Sequence, residues 1–232
     1  MEIEVLDNAE LVARKAATVI AAEARLAVAS RGRFLFAVSG GRTPWVMLRA
    51  LAGLEVPWQG VHVVQVDERV APAGHPDRNL THVRDNLLER CSLPSGQLYA
   101  MPVEEEDLAA AANRYGLTLR KISGLPPVLD LCHLGLGPDG HTASLVPGDP
   151  VLDVTGADVA PTGVYLGRRR MTLTYPTLNR ARRILWLVTG EEKMEMLERL
   201  CDGDASIPAG RVRREQALLL CDRAAAAKMR PS

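Results

Sequence analysis

The chain has 232 residues and a mass of 25.2 kDa, enough to bury a full core without disulfide staples and consistent with one α/β domain over 1–232. Hydrophobic residues make up 47% and charged residues 24%, which excludes a disordered chain, and no apolar run reaches the ~18 residues of a membrane span. The 28 basic and 28 acidic residues cancel, against the basic excess of a dedicated nucleic-acid binder, so neither nucleic acid nor a membrane is expected as a partner. The basic residues divide into 24 Arg and 4 Lys, so a lysine at a motif is more informative than an arginine. Cys91, Cys132, Cys201 and Cys221 are scattered with no C-x-x-C pair, and Cys132 and Cys221 read as small core hydrophobes. The N-terminus lacks a charged segment followed by an apolar one, and a reducing cytoplasm is the expected compartment.

Asp7 or Asn8 is placed to cap a helix reaching about Ser30, with Leu11, Val12, Ala16, Val19, Ile20 and Ala27 near helical spacing. Phe34–Val38 reads as a buried strand. Thr43 then stands as an N-cap with Pro44 at the first helical position, and Gly53 ends that helix. Residues 61–66 form a strand, followed by a polar loop to about Asn79 and a helix to Arg90. Glu104, Glu105, Glu106 and Asp107 open the next helix, where acidic groups favour the positive end of the dipole, and it runs to about Lys121. Residues 128–134 are a strand, 147–163 a loop within the domain, and 171–175 a strand stopped by Pro176. Residues 184–189 are strand-like. Gly190 precedes a helix with Glu191 and Glu192 in its first turn, and residues 217–221 form a last strand. Strands alternating with helices, each strand a continuous apolar run, predict a Rossmann-like α/β fold: a mostly parallel sheet with helices on both faces.

Such sheets bind ligands beyond the carboxyl ends of their strands. Three strand ends here carry polar loops. In Ser39-Gly40-Gly41-Arg42-Thr43, glycines let backbone N–H groups approach an anion, a helix start adds positive potential, and two hydroxyls can donate. This is neither a Walker A nor a G-x-G-x-x-G pattern, so no nucleotide is implied. Asp67-Glu68-Arg69 supplies a carboxylate for hydroxyls and a guanidinium for an anion. The third loop, Gly135-Leu136-Gly137-Pro138-Asp139-Gly140-His141, carries the strongest signal. An imidazole at this place suits a general base, which assigns that role to His141, and Asp139 is placed to orient it. Of Arg168, Arg169 and Arg170, one is expected to turn into the site. Lys193 fits a second phosphate cation. His62, His75 and His82 read as ordinary strand, loop and surface residues, and no histidine has metal-ligand spacing, so no metal is expected. These mechanics alone lead to an α/β enzyme acting on a small phosphorylated metabolite.

Ser39-Gly-Gly-Arg-Thr-Pro44, Val66-Asp-Glu-Arg-Val70, Pro76-Asp-Arg-Asn79 and Leu134-Gly-Leu-Gly-Pro-Asp-Gly-His-Thr-Ala-Ser-Leu145 together resemble the 6-phosphogluconolactonase family. Arg170-Met-Thr-Leu-Thr-Tyr-Pro-Thr-Leu-Asn-Arg-Ala181 and Leu187-Val-Thr-Gly-Glu-Glu-Lys193 extend the likeness, in order, over about residues 34 to 193. The resemblance implies a fold shared with glucosamine-6-phosphate deaminases, and hydrolysis of 6-phospho-D-glucono-1,5-lactone in the pentose phosphate pathway without metal or organic cofactor. It assigns His141 to take a proton from water and return it to the ring oxygen. Arg69 would hold anionic substrate or oxyanion charge, while Asp67 and Asp139 orient hydroxyls or the imidazole. Ser39, Gly40, Gly41, Arg42, Thr43, Arg170 and Lys193 would hold phosphate, with the division of the cations between phosphate and carbonyl left open. The deaminase pattern places a Glu five residues after the histidine and reads Asp-Glu-Tyr or Asp-Glu-Trp in the second loop. Here Val146 and Arg69 stand there, which favours the lactonase. A deaminase-like enzyme and a non-catalytic sugar-phosphate-binding module are the alternatives. The expected partner is the sugar-phosphate lactone, and the expected state a monomer, with a weak homodimer as the other choice.

Overall fold

A computed structural model of the protein describes residues 1–229. In chain order the strands and helices are β1 (Glu2–Leu6), α1 (Ala9–Arg31), β2 (Phe34–Val38), α2 (Arg42–Ala52), β3 (Val61–Gln65), β4 (Asp67–Arg69), α3 (Asn79–Asn86), β5 (Leu98–Tyr99) and α4 (Leu108–Ser123). They continue with β6 (Leu131–Gly135), β7 (Val159–Pro161), β8 (Arg170–Leu173), α5 (Tyr175–Arg180), β9 (Arg183–Val188), α6 (Met194–Asp202) and β10 (Ala217–Asp222). Seven strands form one sheet in the order β1-β10-β9-β6-β2-β3-β5, every pair parallel. A smaller antiparallel sheet, β4-β8-β7, stands beside its carboxyl edge.

The apolar runs explain the sheet. β2 is buried at all five positions and β10 at all six, because helices cover both faces. On one face α1 and α2 pack together, and the alanines of α1 (Ala13, Ala16, Ala17, Ala21, Ala24) are fully buried, small enough to let the helix lie close to the strands. On the other face α4 and α6 cover Leu35, Cys132, Trp186 and Cys221. Asn8 caps α1, its Oδ1 accepting from Leu11 N at 3.0 Å, and Gly32 closes it in the left-handed region at φ 73°.

Several sequence expectations are corrected. β1 was not foreseen: its burial is broken and it pairs only with β10, so an edge strand alternating with acids carries no apolar run. Thr43 is not a cap. Gly41 holds that position with no side-chain cap bond, and Thr43 instead exchanges a hydrogen bond with Thr189. Glu104, Glu105 and Glu106 precede α4, which begins after Asp107, whose carboxylate accepts from Ala109 N and Ala110 N. Pro176 does not merely stop a strand. It sits in the first turn of α5, where its missing N–H costs nothing. The segment 147–163 is more than loop, since it contains a 3-10 turn (Pro150–Asp153) and β7. Lys193 ends a 3-10 turn (Glu191–Lys193) ahead of α6.

Candidate functional site

The site follows from the strand order. The chain leaves β2 toward β3 on one side and returns later to β6 on the other, so the loops after β2 and β6 part and leave a crevice. Residues 39–41 form one wall and residues 135–141 the other, with Asp67, Arg69, Asn79, Arg170 and Lys193 closing the rest. At the parting of the strands, the backbone N–H of Ser39 donates to Nδ1 of His133 at 3.2 Å. His133 lies inside β6, as its place in the apolar run implied. Complete burial pushes its imidazole down to about 3, so it is neutral and accepts at Nδ1.

His141 is held by its own loop. Asp139 Oδ1 accepts from the His141 ring Nδ1 at 2.5 Å and from its backbone N–H at 3.2 Å. With Nδ1 committed, Nε2 is the nitrogen left for chemistry. Burial works to raise the Asp139 carboxyl, and the His141 charge, the His141 hydrogen bonds and the Tyr165 hydroxyl outweigh it, leaving the group below the usual carboxylate range. The glycines here serve space as well as conformation. A Cβ at Gly137 would lie 2.0 Å from His141 Nδ1, and Gly140 takes φ 81° with Ile207 2.7 Å from where its Cβ would be.

The small sheet delivers the cations. In the register of β4 on β8, Arg69 faces Arg170 directly. Like charges opposite each other destabilise a strand pair, and here each lines the pocket. Arg69 is steadied by the carbonyl of Asp77 (2.8 Å) and Oδ1 of Asn79 (3.3 Å). Arg170 is 4% exposed, touches Ser144 Oγ at 3.4 Å and lies over the Tyr165 ring at 4.9 Å. Burial foremost, then Arg69, work against its charge, while Asp67 favours it. Lys193, brought in by the turn after β9, is likewise lowered mainly by burial, against the pull of Glu192 and Asp139. That turn is fixed by Asp222, whose Oδ1 accepts from Gly190 N at 3.1 Å. Among the described residues, none of Arg69, Arg170 and Lys193 makes an ion pair with a carboxylate of the chain, whereas Arg168 is taken by Asp77 at 2.7 Å.

Ser39, Gly40, Gly41, Asp67, Arg69, His141, Arg170 and Lys193 thus meet in one pocket, and Asp139 stands behind His141. Asp67 does not touch the imidazole. It is 3% exposed and accepts from Ser144 Oγ (2.6 Å), Ser39 Oγ (3.3 Å) and Asn79 Nδ2 (3.4 Å). Arg42 and Thr43 line the adjoining recess, which shares Gly40, Gly41 and Lys193 with the pocket. His62, His75 and His82 lie outside the pocket lining. Among the described residues, no group of three or more His, Cys, Asp or Glu side chains is gathered for a metal ion. Sequence reasoning missed three members. Asn79 ends the quoted Pro76-Asp-Arg-Asn79 motif, and its Oδ1 sits 2.0 Å from where a Gly40 Cβ would be, so the glycine of one loop makes room for it. Ser144 closes the His141 motif, and Tyr165 has no motif signal at all.

The sequence profile of a family described as glucosamine-6-phosphate isomerases/6-phosphogluconolactonase matches residues 7–220. The chain belongs to that family. It is 34% identical over 238 residues to a 6-phosphogluconolactonase of Synechocystis, with 99% of each chain covered. The fold superposes on the crystal structure of a 6-phosphogluconolactonase from Thermotoga maritima with a TM-score of 0.85 at 26% identity, covering 95% of this chain and 98% of that one. It also superposes on a monomeric glucosamine-6-phosphate deaminase with a TM-score of 0.84 at 20% identity, covering 98% and 99%, a likeness of fold alone.

Val146, five residues after His141, is 6% exposed and places no carboxylate there. Asp149, the next carboxylate in sequence, accepts from Val151 N at 2.9 Å and Gly163 N at 2.8 Å, so it serves its own loop. Asp139 is the carboxylate hydrogen-bonded to the His141 ring.

Proposed function

We propose that the chain hydrolyses 6-phospho-D-glucono-1,5-lactone to 6-phosphogluconate, working as one catalytic unit over its whole length and as a monomer in the cytoplasm. The observation that carries this reading is the pairing of an Asp139-held His141 with Arg69, Arg170 and Lys193, which have no carboxylate partner of their own among the described residues. Such cations await an anionic substrate, and a histidine with one free nitrogen can take a proton from water. His141 Nε2 accepts the proton of the attacking water and later returns it to the departing ring oxygen. Asp139 holds the imidazole in orientation. Arg69 takes the developing oxyanion or anionic substrate charge, and Asp67, with Ser144, Ser39 and Asn79 around it, orients hydroxyls. The phosphate is held by Ser39, by the amides of Gly40 and Gly41 at the start of α2, by Arg42 and Thr43 in the adjoining recess, and by Arg170 and Lys193. The scattered, unpaired cysteines fit a reducing compartment. A lactone carbonyl is electrophilic enough for a base-activated water, so no cofactor is invoked.

The test is purified protein given freshly generated 6-phosphogluconolactone, the non-phosphorylated gluconolactone, and glucosamine 6-phosphate. Ring opening of the first is expected to exceed the spontaneous rate, the second to be opened far more slowly, and the third to release no ammonia. Ammonia release without lactone opening would overturn the reading in favour of the deaminase.

A further inference from the structure

Tyr165 belongs to none of the motifs and to none of the roles above, yet it touches three charged or titrating groups of the pocket. It stands on the hairpin between β7 and β8, where Tyr165 N donates to Arg168 O at 2.9 Å and Arg168 N returns the bond at 3.2 Å. The two residues between them, Leu166 and Gly167, have φ of 50° and 78°, the pattern of a tight two-residue hairpin turn. Glycine accepts that region freely, but leucine is strained there. Val164 and Leu166 are 71% and 80% exposed, so the hairpin tip stands in solvent, while Tyr165 is half-buried against the pocket.

Each part of the side chain is used. The hydroxyl donates to Asp139 Oδ2 at 3.0 Å, while the other oxygen of that carboxylate serves His141. The ring meets the imidazole edge-on at 5.4 Å between centroids, and the Arg170 guanidinium lies over it at 4.9 Å. Burial first, then the Asp139 hydrogen bond and charge, push the phenol above its ordinary value, so it remains a donor at neutral pH.

We propose that Tyr165 is the positioning residue of this pocket, its hydroxyl setting how much of the Asp139 charge faces His141 and its ring spacing His141 from Arg170. The proposal rests on the lactonase reading for what His141 does. A carboxylate that accepts a second hydrogen bond on its far oxygen is a weaker partner on the near one. Removing the Tyr165 hydroxyl therefore concentrates charge on the side toward His141 and stabilises the imidazolium, so the base becomes protonated at higher pH. Arg170 on β8 and Lys193 before α6 also act on Asp139, and Arg69 on β4 and Asp67 act on Arg170. Tyr165→Phe leaves all four in place.

The experiment compares wild type, Tyr165→Phe and Tyr165→Leu. In Tyr165→Phe the acidic limb of kcat/KM is expected to move up by about 0.5–1 pH unit with KM for the phosphorylated lactone little changed. In Tyr165→Leu the same movement is joined by a KM increase of about 3- to 10-fold, as Arg170 loses the ring beneath it. A purely structural tyrosine would lower the melting temperature and leave the limb in place, and that outcome overturns the proposal. The imidazole signals of His141, followed by NMR through the same titration, give a readout independent of turnover. A midpoint that rises in Tyr165→Phe supports the coupling, and an unmoved midpoint rejects it. A wild-type protein that leaves the lactone unopened contradicts the lactonase reading before any variant is compared, and the NMR midpoint still decides the role of Tyr165.

Discussion

A histidine acts as a base only if its ring is fixed and one nitrogen is left open. His141 meets both conditions because Asp139, two residues earlier on the same loop, accepts from the ring at 2.5 Å and from the backbone at 3.2 Å. His141→Asn keeps a polar side chain in the pocket but cannot cycle a proton near neutrality. Its turnover is expected to fall by about 10²–10⁴ while KM changes little, because the phosphate contacts are untouched. Steady-state kinetics on the freshly generated lactone decide this, and near-normal turnover at saturation would move the base to another group. His141 and Asp139 were legible in the sequence because a glycine-rich run after an apolar strand is unusual for a mere connection. Asp67 was legible as a pocket residue but not in its contacts. Its nearest partner, Ser144, sits 77 positions away, a proximity that only the folded chain creates. Tyr165 was illegible for the same reason, since a lone tyrosine in a Gly- and Arg-rich loop shows neither period nor motif.

At the scale of elements, turns and the small sheet turn a parallel scaffold into a site. The main strands were readable because burial on both faces leaves continuous apolar runs. The antiparallel sheet was not, as β4 and β7 are three residues each and β4 carries Asp67, Glu68 and Arg69. Glu68 shows why so polar a strand is buried. It is fully covered and accepts from the first N–H groups of α3, Asn79 N and Leu80 N, both at 2.8 Å. It thus replaces the capping side chain that Arg78 does not supply. The turn after β6 depends on glycine in a way that can be tested. Gly137 has no left-handed backbone to protect, but its missing Cβ is the space that the His141 ring fills. Gly137→Ala is expected to displace the ring, 20% exposed and able to move, rather than to unfold the chain. Turnover should drop by at least about 10², toward that of the histidine variant. The midpoint of urea unfolding should stay near the wild-type value. Equal losses of activity and stability would mean that the loop, not the ring, had given way.

At the scale of the whole molecule, the crevice exists because β2 and β6 are neighbours whose connections run in opposite directions, an order that no local pattern in the sequence records. Where they separate, the ladder between them holds Phe36↔Leu131 and Ala37↔Cys132, and beyond it the His133 imidazole supplies the acceptor for Ser39 N. This links the site to global stability through a proton. His133 is neutral in the fold, its imidazole held at about 3 by burial, whereas in the unfolded chain it takes up a proton below about 6.5. Across that window the unfolded state binds more protons at this position, so stability falls as pH is lowered from about 6.5 toward about 3, by up to about 1.4 kcal/mol for each pH unit. His133→Asn keeps a side-chain acceptor within β6 and removes the titration. The variant is expected to be less stable than wild type at pH 7 because a smaller side chain fills the site. The gap should narrow as pH falls through the window, since only the wild type loses this contribution. Urea unfolding of both proteins at several pH values measures the gap directly. A constant difference between pH 7 and pH 4 would mean that His133 takes up its proton without unfolding, and the neutral acceptor beneath Ser39 would have to be abandoned.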